Sequence, residues 1–287
     1  MARLVYTSDL HGNLELYRAV GEAARRFRAH AVVLGGDLCP GTPSASSTHL
    51  PQAHPEFLHR DLGPMIEGWK RTQPDLRVFA IPGNDDCQTT LPALDELEKR
   101  QILQNLHRKT AALGPHLLMG LSFVPPTPFS IKDFERRDSA HAARRQPQVF
   151  RCVVSTPHGF QTLEDFEAYL DSHPRIEDEL NRLPDSDPAR TIAVIHCPPY
   201  QTKCDVLFNG QHIGSEAVRR WIEQRQPLLT LHGHIHESPE MSGAFCDRIG
   251  ATCVVNPGCD GRRPHFALID LERLSELEHA VYGGQVW

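Results

Sequence analysis

Leu4-Val-Tyr-Thr-Ser-Asp-Leu-His-Gly-Asn13 opens the chain with a short apolar run that stops at two polar residues, Asp9 and His11. Such a run suits a buried strand. Asn13 suits the cap of a following helix, in which Leu14, Leu16, Tyr17, Val20 and Phe27 leave an apolar stripe among arginines. A second apolar run, Ala31-Val-Val-Leu34, closes on Gly35-Gly-Asp37. Strand, helix and strand at this length make a βαβ unit, hence a parallel pair with ligands expected at the carboxyl ends. Asp9, His11 and Asp37 all fall at those ends.

Further apolar runs finish the same way. Arg77-Val-Phe-Ala-Ile81 leads into Pro82-Gly-Asn-Asp-Asp86, and Thr191-Ile-Ala-Val-Ile195 ends at His196, where Pro198-Pro199 bars a helix. Leu228-Leu-Thr-Leu-His-Gly-His-Ile-His-Glu237 stops at Gly233, followed by His234 and His236. Residues two apart on extended backbone share a face, so these imidazoles can grip one ion or one each of two. His232 lies inside the strand and is read as a buried, hydrogen-bonded histidine. Helices are predicted around 56–71, 92–106, 162–183 (from a Thr-x-x-Asp start) and 215–225, with 40–55 an irregular loop. Strands are predicted over 116–124 and 252–255, and an antiparallel pair from 266–271 with the tail after 276. Asn256-Pro-Gly258 reads as a turn supporting the site. One α/β domain spanning 1–287 is the expectation.

At 287 residues the chain can bury a substantial core, and 40% hydrophobic with 23% charged residues is ordinary for a globular protein. A formal net charge of -6 gives no electrostatic reason to expect a nucleic-acid or membrane partner. No apolar run approaches the ~18–20 residues that span a bilayer. The first strand begins almost at once, so a cytoplasmic location is expected. Eight scattered cysteines without a CxxC pair read as reduced thiols.

The strand ends together carry Asp9, His11, Asp37, Asn84, His196, His234 and His236, a nitrogen-and-oxygen set without thiolate. That set is too large for one tetrahedral zinc, and two divalent ions sharing a bridging carboxylate account for it. Two ions roughly 3.5–4 Å apart are the usual arrangement for in-line displacement at phosphorus. In order and context, Asp9-x-His11, Gly36-Asp37, Gly83-Asn84-Asp85, His196 and Gly233-His234-x-His236 resemble the five motifs of the calcineurin-like metallophosphoesterase superfamily. The resemblance implies a sandwich of two mixed β-sheets flanked by α-helices. It implies one metal on Asp9, His11 and His236, another on Asn84, His196 and His234, and Asp37 bridging them. The ions would be Mn, Fe, Ni, Co or Zn, and the family mechanism implies attack by a metal-bridging hydroxide.

One position departs from the family pattern. Many members carry His after the Asn of the third motif, where this chain has Asp85. A carboxylate beside a phosphate is unfavourable unless it is protonated, turned away or facing a metal-bound water, and members lacking this His often favour phosphodiesters. The expectation is therefore a phosphodiesterase acting on a phosphodiester or nucleotide-like small molecule, with Asp85 as a catalytic candidate and Asn13, Tyr200 and Lys203 as substrate-binding candidates. Arg136-Arg137 and Arg144-Arg145 read as a solvated face, and 125–158 as a surface insertion or substrate loop. The competing expectation is a non-catalytic interaction module on the same fold with a vestigial metal site.

Overall fold

The computed structural model describes residues 2–41, 49–142 and 151–286. Strand β1 (Arg3–Thr7), helix α1 (Leu14–Phe27) and strand β2 (Ala31–Leu34) form the expected βαβ start. Asn13 Oδ1 accepts from the Glu15 and Leu16 amides and so caps α1. The next helix begins at Leu50, earlier than expected: α2 (Leu50–Phe57) passes through a π-helical turn, Leu58–Leu62, into α3 (Gly63–Thr72). Pro51 occupies the first turn, where a missing N–H costs nothing, whereas Pro55 removes a backbone bond just before the π turn.

Strand β3 (Arg77–Ala80) is followed by α4 (Thr90–Lys99), which ends where Gln101 turns left-handed at φ 60°. The helix predicted to reach 106 is therefore shorter, and Gln104–Asn105 forms strand β4. Strands β5 (Thr110–Leu113), β6 (His116–Leu121), β7 (Val153–Thr156) and β8 (Gly159–Thr162) come next. The single helix expected over 162–183 is two, α5 (Phe166–Asp171) and α6 (Ile176–Asn181), divided at Pro174. Asp165, not Thr162, caps α5 by accepting from the Ala168 amide. The chain continues through β9 (Thr191–Ile195), α7 (Glu216–Arg225), β10 (Leu229–Leu231) and α8 (Ser238–Ser242). It closes with β11 (Cys246–Ile249), β12 (Thr252–Val255), β13 (Ala267–Asp270), β14 (Glu276–His279) and β15 (Gly283–Val286).

Among the described residues, one sheet runs β15-β14-β13-β1-β2-β3-β4 and a second β11-β12-β10-β9-β6-β5. Both are mixed: β1 to β4 pair in parallel, as do β6, β9, β10 and β12, with antiparallel strands at the flanks. Alternation along β1 explains the layering. Leu4 and Tyr6 face the second sheet and pack with Val194, Leu231 and Val255, while Val5 faces outward to Tyr17 and Val20 of α1. On the far side, Met119, Ala193 and Val254 meet Leu180, Val218 and Trp221 of α6 and α7. Strands covered on both faces read as continuous apolar runs, and that is why they were visible in the sequence. The result is the expected two-sheet sandwich between helical layers. Among the described residues, no helix is long and apolar enough to cross a membrane.

Arg136 is buried, contrary to the solvated-face reading: its guanidinium lies 4.4 Å from the Phe123 ring centroid and 5.9 Å from that of Tyr169. Arg137 pairs with Glu167 and Asp171. Arg144 and Arg145 lie outside the described residues.

His107 offers a clean test of this packing. Its ring stands edge-on to Phe123 and Phe134, and burial, helped by Arg108 and Arg136, holds its imidazole down at about 3. An unfolded chain binds that proton near pH 6.5, so between roughly 6.5 and 3 the unfolded state holds more protons and acid favours it. His107→Phe keeps the ring contacts and removes this titration. Unfolding free energies from urea titrations between pH 7 and 4 should fall less steeply in the variant, by up to about 1.4 kcal/mol per pH unit; parallel curves would rule the effect out.

Candidate metal centre

The carboxyl ends of the parallel strands of both sheets meet at one edge. From the first sheet, β1 leads to Asp9 and His11, β2 to Asp37, and β3 to Asn84 and Asp85; from the second, β9 leads to His196 and β10 to His234 and His236. Backbone bonds lock these turns together: Asp9 N–H donates to Gly36 O at 3.0 Å, His11 N–H to Asp37 O at 2.9 Å and Gly233 N–H to His196 O at 3.0 Å. The sheets are tied across the gap by Tyr6 Oη, which donates to His232 O at 2.6 Å. Glycine is needed where they approach. A Cβ at Gly233 would collide with Ser8 Oγ and Asp9 Oδ2, and one at Gly36, where φ is 120°, would strike His196 Nδ1.

The structure brings all seven expected ligands together. One ligand atom each from Asp9, His11, Asp37 and His236 lies within 4.8 Å of the others. Asn84 Oδ1 sits 2.6 Å from His234 Nδ1 and 3.1 Å from His196 Nε2. Asp37 Oδ2 stands between the two groups, 3.9 Å from His11 Nε2 and 3.5 Å from His196 Nε2. Asp9, His11, Asp37 and His234 hold left-handed backbone at φ 60°, 44°, 50° and 68°. Such strain in non-glycine residues clusters at functional sites.

Hydrogen bonds aim these donors. The ring nitrogen His196 Nδ1 lies 2.9 Å from Gly35 O and donates to it, so Nε2 is the nitrogen turned inward. Asn84 Nδ2 donates to Asp85 Oδ1 at 2.8 Å, leaving Asn84 Oδ1 facing the imidazoles. Asp9 accepts from the His234 amide, and Asp37 Oδ1 from the Asp85 amide.

The charge balance favours cations at this point. Asp9 and Asp37 are buried, and their ion-pair contacts among the described residues are all with histidines. Burial works against both carboxylates, yet neighbouring histidines outweigh it: His236 and His196 hold Asp9 low, and His196 and His11 hold Asp37 low. Conversely, burial disfavours the His196 and His236 imidazoliums, but Asp37 and Asp9 raise each to about 9. Burial, with His196 nearby, depresses His234 to about 3. Protons on two imidazoles thus stand where divalent ions would serve, and nitrogen-and-oxygen donors of this kind fit Mn, Fe, Co, Ni or Zn. Burial and the adjacent Asp37 raise Asp85 to about 7, while its Oδ2 lies 3.8 Å from His11 Nδ1.

The substrate-binding candidates fare differently. Both functional atoms of the Asn13 side chain are engaged, in the helix cap and in a bond from Nδ2 to Gly261 O at 3.3 Å. Tyr200 lines a neighbouring cavity of about 290 Å³ behind Pro125 and Pro126, not the one at the ligands. Lys203 is exposed and lines neither, because its amide is tied to Asp247 and its carbonyl to Ser238 and Ser242. His232 is buried with Nδ1 at 2.8 Å from Ile195 O and 3.0 Å from Cys197 O, as its strand position implied. Asn256 braces the turn, donating to the carbonyls of Cys204, Gly233 and Ile235.

A residue the sequence reading passed over is Asp86. Its carboxylate accepts from the amides of Leu38, Cys39 and Gly83, tying the Asp37 turn to the Asn84 turn. It also forms a compact group with Cys39 and His54. That group is a brace rather than a second metal site, because His54 Nδ1 accepts from the Cys87 amide and its Nε2 bonds Pro40 O. The run Asn84-Asp85-Asp86 was the available signal.

The sequence profile of the calcineurin-like phosphoesterase family matches residues 2–238. The chain belongs to that family. Among solved structures, TT1561 of Thermus thermophilus shares 19% identity with this phosphoesterase-family chain, covering 98% of it and 99% of the other chain at a TM-score of 0.58. A dimetal phosphatase from Danio rerio shares 14% identity, with 99% and 96% covered and a TM-score of 0.52. At such identities the likeness speaks for the fold alone. No curated protein sequence matches the chain.

Asp37 lies at the junction of the two ligand groups, so Asp37→Asn should leave the far-ultraviolet circular dichroism unchanged while cutting bound divalent metal, by elemental analysis, at least tenfold. His232→Gln should retain the wild-type metal content; loss equal to that of Asp37→Asn would make His232 a ligand after all.

Proposed function

We propose that this phosphoesterase-family chain is a dinuclear enzyme acting in the cytoplasm on a phosphodiester or nucleotide-like small molecule, with diesters preferred over monoesters. Asp9, His11 and His236 would hold one divalent ion, Asn84, His196 and His234 the other, and Asp37 would bridge. Bound there, the ions would supply Lewis acidity, acidifying water and taking up charge on the phosphoryl oxygens. The chain's own groups orient this machinery: Gly35 O sets the His196 tautomer, and Asp85 turns the Asn84 amide. A net charge of -6 favours a small-molecule partner over nucleic acid.

The observation that carries the diester preference is the position of Asp85. It lines the cavity beside Asp37, Asn84 and His234, and no lysine or arginine among the described residues lines that cavity. A monoester dianion brings one more negative charge than a diester, and at roughly 6 Å with an effective dielectric near 20 each like-charge contact costs about 3 kcal/mol. The intact ligand set weighs against the vestigial-module reading, since decay would more readily have removed a ligand.

The test is hydrolysis of bis-p-nitrophenyl phosphate against p-nitrophenyl phosphate with Mn²⁺, Ni²⁺ or Zn²⁺ at mildly alkaline pH. The diester should be the better substrate. Asp85→Asn keeps an acceptor for Asn84 Nδ2 and removes the charge, so it should raise the monoester-to-diester ratio of kcat/KM at least tenfold. Silence on both esters from folded, metal-loaded protein would sink the proposal.

A further inference from the structure

The cavity at the ligands measures about 450 Å³, within the range of small-molecule sites. Beyond its polar floor the walls are mainly apolar, with Thr127 and Glu237 as their polar members. Pro126, Pro128 and Phe129 form one side, from the segment after β6; Leu207, Ile213 and Ile235 form the other. Prolines carry no N–H, so that side is poor in hydrogen-bond donors. Phe129 stands 51% exposed at this wall, a large ring left in water beside the centre.

The proline wall is built in advance of any ligand. Lys132 and Glu135 are both buried, with Nζ donating to Glu135 at 2.9 and 3.0 Å and to Thr127 O at 2.8 Å. Thr127 Oγ1 donates to Glu135 and accepts from the Phe129 amide at 3.2 Å. This network fixes the backbone on which Pro126, Pro128 and Phe129 stand.

We infer that this cavity is a subsite for one ester arm of the substrate, and that the arm is an aromatic or apolar alcohol group on a singly charged phosphodiester. A polyphosphate arm would need cations, and the charged side chain on these walls, Glu237, is an anion. The ligand class rests on the phosphodiester reading above; the apolar subsite itself is tested by binding, apart from turnover.

Calorimetric titration of the Mn²⁺-loaded protein with diphenyl phosphate and with dimethyl phosphate reads the subsite directly. Burial of even ~60 Å² of ring area gives about tenfold, so diphenyl phosphate should bind at least tenfold tighter. Phe129→Ala and, independently, Leu207→Ala should each reduce that ratio fivefold or more with little change for dimethyl phosphate. Phe208→Ala, at a residue 75% exposed and outside the cavity lining, should leave it alone. Equal affinities for the two diesters, or a ratio unmoved by both wall variants, would overturn the inference. Tight diphenyl phosphate binding without hydrolysis of any diester would leave the subsite standing and remove the phosphodiesterase reading; diester hydrolysis without the preference would do the reverse.

Discussion

Two buried carboxylates govern this molecule. Asp9 and Asp37 lie between the sheets with histidines as their only ion-pair contacts among the described residues. Isolated charge in such a place is costly, and it persists only when opposite charge and hydrogen bonds surround it. Everything nearby answers that need: backbone amides donate to both carboxylates, four imidazoles converge, and the donor set suits divalent cations. The close approach of the sheets, permitted at Gly36 and Gly233, makes the arrangement feasible.

Much of this was legible in the sequence, for a physical reason. Strands buried on both faces are apolar at every position, and polar residues that end them stand out sharply. Hence Ala31–Leu34, Thr191–Ile195 and Thr252–Val255 are found with the bounds expected, and the seven residues expected as ligands lie together. Helices were harder to bound. Pro55 suggested a loop but sits inside a helix, and Pro174 divides what periodicity joined. Asn13 and Lys203 illustrate the remaining difficulty: nearness in sequence to a ligand does not say where a side chain points, and hydrogen bonds to distant chain settle it.

The segment after β6 shows how a part of low legibility can still be ordered. Its charges look solvent-directed in sequence, yet Lys132, Glu135 and Arg136 are all buried. Lys132 directs its three donors to Thr127 O and Glu135, while Arg136 lies over Phe123. Asp138 accepts from the Glu216 amide at the start of α7, anchoring the same segment to the second sheet's helical layer. Lys132 and Glu135 neutralise each other three residues apart, whereas Arg136 rests on Phe123 and Tyr169, distant partners that no local pattern announces.

The left-handed backbone at Asp9, His11, Asp37 and His234 has a thermodynamic consequence. Each such residue costs on the order of 1 kcal/mol, somewhat less for Asp and His than for other side chains. Glycine at any of them would relax the chain and remove a candidate ligand, so stability and ligation would pull against each other at the same residues. An ion that binds only the folded chain offsets the strain by mass action. The melting temperature with each divalent ion in turn is therefore a reporter of which metal the centre prefers, readable without turnover.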